Sequence, residues 1–362
     1  MPMKVVPFDS PDVTAPIQES QLAIERRARK WAKNSTLIVI DARHMAYRAW
    51  YTRDLTNSTG ESTSAIHGII TMCSGICRDA DTTRIVLAWD GRLDAKRAMH
   101  AGYKVRHLRD KTPEDQAESE RRENAIRRAE AMTGLLGLPS IRPDLCEADD
   151  IEGFIAHGAS SGLLMQLNGI ERAVVVTDDK DVLQLLSPRV HVWRPVKQEL
   201  VDLPKFQQSM GFPPSNYAHY KALCGESASG DNIPGVPGVG DKTAATQVAM
   251  YQTIDKIIAE AKHAVASGKS RAMERKIVAH EQDARLSLLL STLYKSPSDY
   301  AAAYRIRDNQ WPTKTWGMID TAICAACIHR KARPGTIEEL REQLDFGDTT
   351  IAMLEHCGVS IS

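Results

Sequence analysis

Short apolar runs alternate with stretches of helical period between residues 36 and about 200. The runs are Leu37-Ile38-Val39-Ile40, Ile85-Val86-Leu87-Ala88-Trp89, Ala173-Val174-Val175-Val176 and Val190 to Trp193. Short, β-branched and without polar alternation, they predict strands buried on both faces, the habit of parallel sheets. Between them, Ser64 to Arg78 carries Ile66, Ile69, Ile70, Met72, Cys73 and Ile76 at helical spacing. Thr112-Pro113-Glu114-Asp115 predicts the start of a long helix, with Thr as cap, Pro in the first turn and acids at the positive dipole end. That helix should stop near Gly137-Leu138-Pro139, and another should run from Glu147 to His157. The alternation predicts βαβ units and a mostly parallel α/β sheet flanked by helices.

The pattern changes near residue 203. Leu203 to Met210, Pro214 to Cys224 and Lys242 to Tyr251 read as helices separated by Gly and Pro loops. We therefore expect an extension over 1–35, an α/β domain over 36–202, a helical module over 203–300 and a further extension over 301–362. Pro2, Pro7, Pro11 and Pro16 keep the first stretch irregular. Gln18 to Lys33 has helical potential and five basic residues, read as a solvated face rather than an accessory DNA contact. Residues 301–362 carry no motif to which a role attaches.

Eight carboxylates change the picture. Asp41 and Asp90 close the first two runs, and Asp179 and Asp181 follow the third. Glu147, Asp149 and Asp150 open a helix, and Asp231 lies in the Gly-rich loop. Ligands of open α/β sheets bind beyond the carboxyl ends of the strands, so these acids converge on one crevice. Such a concentration of charge calls for cations, and hard oxygen ligands suit Mg²⁺ or Mn²⁺. Any one of these acids is equally a helix cap or a solvated residue; the coincidence across segments carries the reading. Two ions roughly 4 Å apart are the arrangement that phosphodiester hydrolysis uses.

Overall charge adds nothing, since Lys+Arg and Asp+Glu are 46 each, but its distribution does. From Arg92 to Lys111 there are seven basic residues and two acids. Lys104, Arg106 and Arg109 of this segment are expected to hold a phosphate, and Tyr103 to stack on an unpaired base. The loop Gly230 to Ala244 places Gly235, Gly238 and Gly240 just ahead of Lys242 and Thr243 at a helix start, a means of gripping a duplex backbone without reading sequence. Its spacing is not that of a nucleotide P-loop. Seven scattered cysteines, no secretory pattern in Met1 to Ser20 and no apolar run of membrane-span length predict a cytoplasmic protein with reduced thiols, monomeric by default. Cys324-Ala-Ala-Cys327 reads as two helical thiols rather than a zinc site, which needs four ligands.

At these residues the chain resembles the flap endonuclease and 5′-3′ exonuclease family, which includes phage enzymes and the N-terminal nuclease domain of bacterial DNA polymerase I. The matching stretches are Val39-Ile40-Asp41 with His44 to Arg48, Trp89-Asp90, Gly102-Tyr103-Lys104, Glu147-Ala148-Asp149-Asp150, Thr177 to Asp181 running on to Gln184-Leu185-Leu186, and Gly230 to Ala244. The resemblance implies a PIN-like domain, a helical arch over about 92–130 and a helix-three-turn-helix duplex-binding module. It also implies DNA with 5′ ends or 5′ flaps as substrate, RNA primers on DNA as a further target, and a K⁺ ion near 235–240. One metal would draw on Asp41, Asp90, Glu147 and Asp149, the other on Asp150, Asp179, Asp181 and Asp231. Two departures stand out. The family's Gly-Asp-x-x-Asp-Asn is here Gly225-Glu226-Ser227-Ala228-Ser229-Gly230-Asp231-Asn232, and His107 stands where the family usually has Arg. The first departure leaves a branched-DNA-binding scaffold with impaired catalysis as the alternative function.

Overall fold

The computed structural model describes residues 35–105, 112–226, 231–328, 330–342 and 344–361. The expected basic helix over Gln18 to Lys33 lies outside them, as do Arg106, His107 and Arg109.

The chain opens with β1 (Thr36–Asp41), α1 (Ala42–Thr52), α2 (Ser64–Ala80), β2 (Ile85–Ala88), α3 (Asp94–Met99) and α4 (Pro113–Leu135). Next come β3 (Ser140–Ile141), α5 (Ala148–Ser161), α6 (Leu163–Asn168), β4 (Arg172–Val176), a 3₁₀ turn (Asp181–Leu185), β5 (Val190–Arg194) and β6 (Glu199–Val201). The strands form one sheet in the order β3-β2-β1-β4-β5-β6, parallel except for β6. Both faces are covered. Leu37, Val39, Val86, Ala88, Ala173 and Val175 pack into the core beneath α5, while Ile38, Ile40, Ile85, Leu87, Val174 and Val176 pack into the core beneath α1, α2 and α4. Period-two burial on a two-sided sheet explains the continuous apolar runs. The strand order reverses at β1, so the ligand crevice opens above Asp41.

The sequence placed α4 well. Thr112 Oγ1 accepts from the Asp115 amide at 3.2 Å and Asp115 Oδ2 accepts from the Thr112 amide at 3.1 Å, a reciprocal cap. Strands β3 and β6 were not foreseen; two or three residues carry too little pattern to read.

The helical part comprises α7 (Leu203–Met210), α8 (Tyr217–Cys224), α9 (Asp241–Tyr251), α10 (Ile254–Ala266), α11 (Ala272–Ala279), α12 (Glu281–Ser291), α13 (Pro297–Ala303) and α14 (Trp311–Ala326). A 3₁₀ turn (Pro214–Asn216) precedes α8. The chain then forms β7 (Arg330–Lys331), α15 (Thr336–Glu342), α16 (Asp348–His356) and β8 (Val359–Ser360). These last elements lie on the catalytic domain: Leu340, Phe346, Ile351 and Leu354 share a core with Ile69, Cys73 and Ile126 of α2 and α4. Arg330, 5% exposed, donates to the Thr83, Ala325 and Ala326 carbonyls, which ties the segment down. No helix of the described residues is long and apolar enough to cross a membrane.

Candidate metal centre and nucleic-acid interface

The strand ends bring the expected acids together. Asp41 ends β1 and caps α1, its Oδ1 accepting from the His44 amide at 2.9 Å. Asp90 follows β2; its Oδ1 accepts from the Ala148 amide at 2.9 Å, and its Oδ2 lies 3.3 Å from Arg43 Nε. Thr177 Oγ1, at the end of β4, donates to Asp41 Oδ2 and accepts from the Asp179 amide. Asp179 Oδ1 in turn accepts from the Asp181 amide at 2.8 Å. Glu147, Asp149 and Asp150 have ligand oxygens all within 4.8 Å of one another. Placing these three at a helix start satisfies amides that the helix leaves bare.

Two lysines pair with this cluster. Lys96 is 1% exposed, and its Nζ lies 2.8 Å from Glu147 Oε2, 3.0 Å from Asp150 Oδ2 and 3.7 Å from Asp149 Oδ1. Lys104 donates to Glu147 Oε1 at 2.5 Å. Burial alone would lift the Glu147 carboxyl; Lys104 and Lys96 outweigh it and hold the group below the usual carboxylate range. Lys96 was counted in the basic segment but not singled out, because spacing does not show which lysine of several turns inward.

Further positions differ from expectation. Tyr103 is 3% exposed, and its hydroxyl donates to Glu147 Oε2 at 2.8 Å, so the ring packs beside Lys96 and Lys104 and offers no face to a base. Asp150, grouped by resemblance with Asp179 and Asp181, stands with Glu147 and Asp149 instead. It is fully buried, and its Oδ2 accepts from the Glu147 amide while meeting Lys96. The i, i+3 geometry of a capped helix start decides that side.

The other half of the crevice is shared with the helical part. Lys221 of α8 lies 3.1 Å from Asp181 Oδ1 and pairs with Glu226. Burial and the Asp179 charge lift the Asp181 carboxyl to about 6 despite Lys221. Burial and the Asp90 charge likewise lift Asp41 to about 6. Burial lifts the Asp231 carboxyl above its usual range, with Lys104 opposing the rise and Asp179 and Glu147 adding to it. The Lys104 amide donates to the Asp231 carbonyl at 3.1 Å, and Asn232 Nδ2 donates to the Gly102 and Val105 carbonyls. Glu226 and Ile233 exchange backbone hydrogen bonds across the loop; residues 227–230 between them lie outside the described set.

The Gly-rich loop divides by role. Gly235 is buried at φ 62°; its amide donates to Ser287 Oγ at 2.8 Å, and an added Cβ would lie 2.4 Å from the Gly225 nitrogen. It packs the hairpin and has no amide left for a phosphate, contrary to expectation. Gly238, at φ 81°, is exposed beneath the Lys276 side chain, and Gly240 caps α9 in open space. Lys242 is exposed and Thr243 half-buried on the first turn of α9. Lys276 of α11 is a basic residue at the hairpin that spacing did not reveal.

The donor set fits hard divalent cations: the crevice is lined by carboxylates without His or Cys among the eight, and Asp150 Oδ1 is buried with no hydrogen-bond partner. A parallel sheet that collects acids at its switch point defines an α/β domain of the metal-binding kind, here joined to a helical module. Residues 36–211 match the 5′-3′ exonuclease N-terminal resolvase-like domain, and residues 212–310 match the 5′-3′ exonuclease C-terminal SAM fold. The chain belongs to the 5′-3′ exonuclease family. It is 31% identical over 258 residues to the thermostable DNA polymerase I of Thermus filiformis, covering 71% of this chain and 28% of that protein. The DNA polymerase I of Deinococcus radiodurans is 30% identical over 266 residues, covering 72% and 25%. The chain thus spans little more than a quarter of these relatives. In fold it is similar to the phage T5 5′-exonuclease with bound zinc, at TM-score 0.62 and 19% identity, covering 79% of this chain and 99% of that one. A T5 flap endonuclease in a pseudo-enzyme-product complex with DNA and metal ions gives TM-score 0.61 at 17% identity, covering 79% and 99%.

Proposed function

We propose that the chain is a structure-specific 5′ nuclease that hydrolyses phosphodiester bonds of DNA at 5′ ends and 5′ flaps, using two Mg²⁺ or Mn²⁺ ions. The observation that carries this reading is the convergence of Asp41, Asp90, Glu147, Asp149, Asp179 and Asp181 on one crevice from separate segments of the sheet domain. The bound ions would supply charge stabilisation for the attacking and leaving oxygens. Glu147 and Asp149 would hold one ion with Asp41 and Asp90, and Asp179, Asp181 and Asp231 the other. Glu226, which shares Lys221 with Asp181, would compensate for the acid that the altered 225–231 loop lacks.

Lys104 sits at the rim with its side chain 29% exposed, so its ammonium can turn from Glu147 to a scissile phosphate once cations share that carboxylate. Arg106 and Arg109 extend the basic segment. Gly238, Gly240, Lys242 and Thr243 grip the duplex backbone, with K⁺ a candidate ion among the loop carbonyls. RNA primers on DNA fit the same backbone chemistry.

A 5′-labelled flap substrate tests the reading, with a Mg²⁺ titration and a Ca²⁺ control. The expected outcome is Mg²⁺-dependent product cut near the junction. Tight binding in Ca²⁺ with no product at any Mg²⁺ or Mn²⁺ level would establish the scaffold reading instead.

A further inference from the structure

Glu152 lies on α5, three residues beyond Asp149 and therefore on the same helix face. It is fully buried, and neither carboxylate oxygen has a hydrogen-bond partner. Its neighbours along the helix, Ile151, Phe154 and Ile155, are apolar and equally buried, so packing alone would be served by an apolar side chain here. An unpartnered buried carboxyl is costly even when neutral. The charged groups that act most strongly on it are Asp41, Asp149, Asp179 and Asp90, all acids drawn from three strand ends and the start of α5. The ion pairs of Lys96 and Lys104 go to Glu147, Asp149 and Asp150 and leave it uncompensated. With burial, those four charges push its carboxyl well above the usual range.

We propose that Glu152 is a further carboxylate of the metal centre, on the buried α5 face that it shares with Asp149. It is not among the three acids whose oxygens already lie within 4.8 Å of one another. Its proposed reach to an ion is through a coordinated water, for which it is the acceptor. It is a positioning residue: it orients water at the ion and touches no substrate. This inference rests on the two-ion reading above. It goes beyond the eight acids read from the sequence, where Glu152 passes for one more helix residue.

The test is calorimetric titration of the full chain with Ca²⁺ alone, without DNA, for wild type, Glu152→Gln and Glu152→Leu. Thermal unfolding in EDTA accompanies it. Both variants should bind Ca²⁺ more weakly, by about 10–100-fold. Glu152→Leu should also melt above wild type in EDTA, because it removes a buried acid that only a cation repays. Ca²⁺ affinity equal to wild type in both variants overturns the proposal, as does a Glu152→Leu protein that melts lower in EDTA and binds Ca²⁺ normally. If Glu152→Leu does not fold, Glu152→Gln, equal in size, decides on affinity alone. Wild-type protein that binds no divalent ion would overturn the two-ion reading and this inference together. Unchanged affinity in variants that still cut a flap removes only Glu152.

Discussion

The two halves of the acidic crevice are built differently. The half around Glu147, Asp149 and Asp150 belongs to one helix start and takes its counter-charges, Lys96 and Lys104, from the sheet domain itself. The half around Asp179 and Asp181 hangs on a strand end and takes its counter-charge, Lys221, from the helical part of the chain. The acids of the first half are therefore placed by local helix geometry. The second depends on how α8 and the Gly-rich loop dock onto the sheet. Buried acids tolerate close company only where a cation is placed among them, and the fold supplies a lysine to each half.

The largest break in this comparison should come from Lys96→Met. Removing one partner of a buried ion cluster costs about 3–5 kcal/mol. Urea unfolding in EDTA should show that loss, Lys96→Arg should recover much of it, and an unmoved midpoint would mean that the first half is not lysine-held.

Asp179→Asn probes the second half. Cleavage should fall on the order of a hundredfold to a thousandfold, the scale for losing one electrostatic stabiliser, while DNA binding in Ca²⁺ persists. Undiminished turnover would take Asp179 out of the site.

A pH series separates carboxyls of opposite sign without mutation. Asp41 and Asp181 hold their protons to about 6 when folded, against 3.8 as the ordinary value. The folded protein then binds more protons than the unfolded chain between those values, so metal-free stability falls as pH rises through that window. Glu147 has the opposite sign: its lowered carboxyl contributes stability above its unfolded value that is lost in stronger acid. Divalent affinity should rise across the same 3.8-to-6 window as Asp41 and Asp181 ionise. Denaturant midpoints in EDTA from pH 4 upward, beside Ca²⁺ titrations, measure both; a flat midpoint contradicts the assigned burial.

The smallest effect belongs to the hairpin. Lys242→Ala should weaken duplex binding uniformly across sequences and lower the salt slope by about one. An unaltered slope would remove Lys242 from the interface.

Much of the fold was legible because its signals are local. The runs at Leu37, Ile85 and Ala173 are apolar without alternation, which only a two-sided sheet accommodates, and the Thr112 cap announces α4 by its own hydrogen bonds. Strands β3 and β6 were too short to show a period. The C-terminal elements have no motif because their work is to cover α2 and α4, a matter of shape rather than spacing.

The candidate site divides along the same line. The sequence by itself determined that the acids of strand ends and of the Glu147 helix start would share a crevice, since parallel strands point their carboxyl ends one way. Only the tertiary structure decided which neighbours they meet there. Lys96 turns inward while Arg92 and Arg97 stay exposed, Tyr103 is spent on Glu147, Gly235 is closed against Gly225, and Glu152 is buried with no hydrogen-bond partner. Those outcomes depend on contacts between segments far apart in the chain, where burial rather than residue type sets what a charge can do.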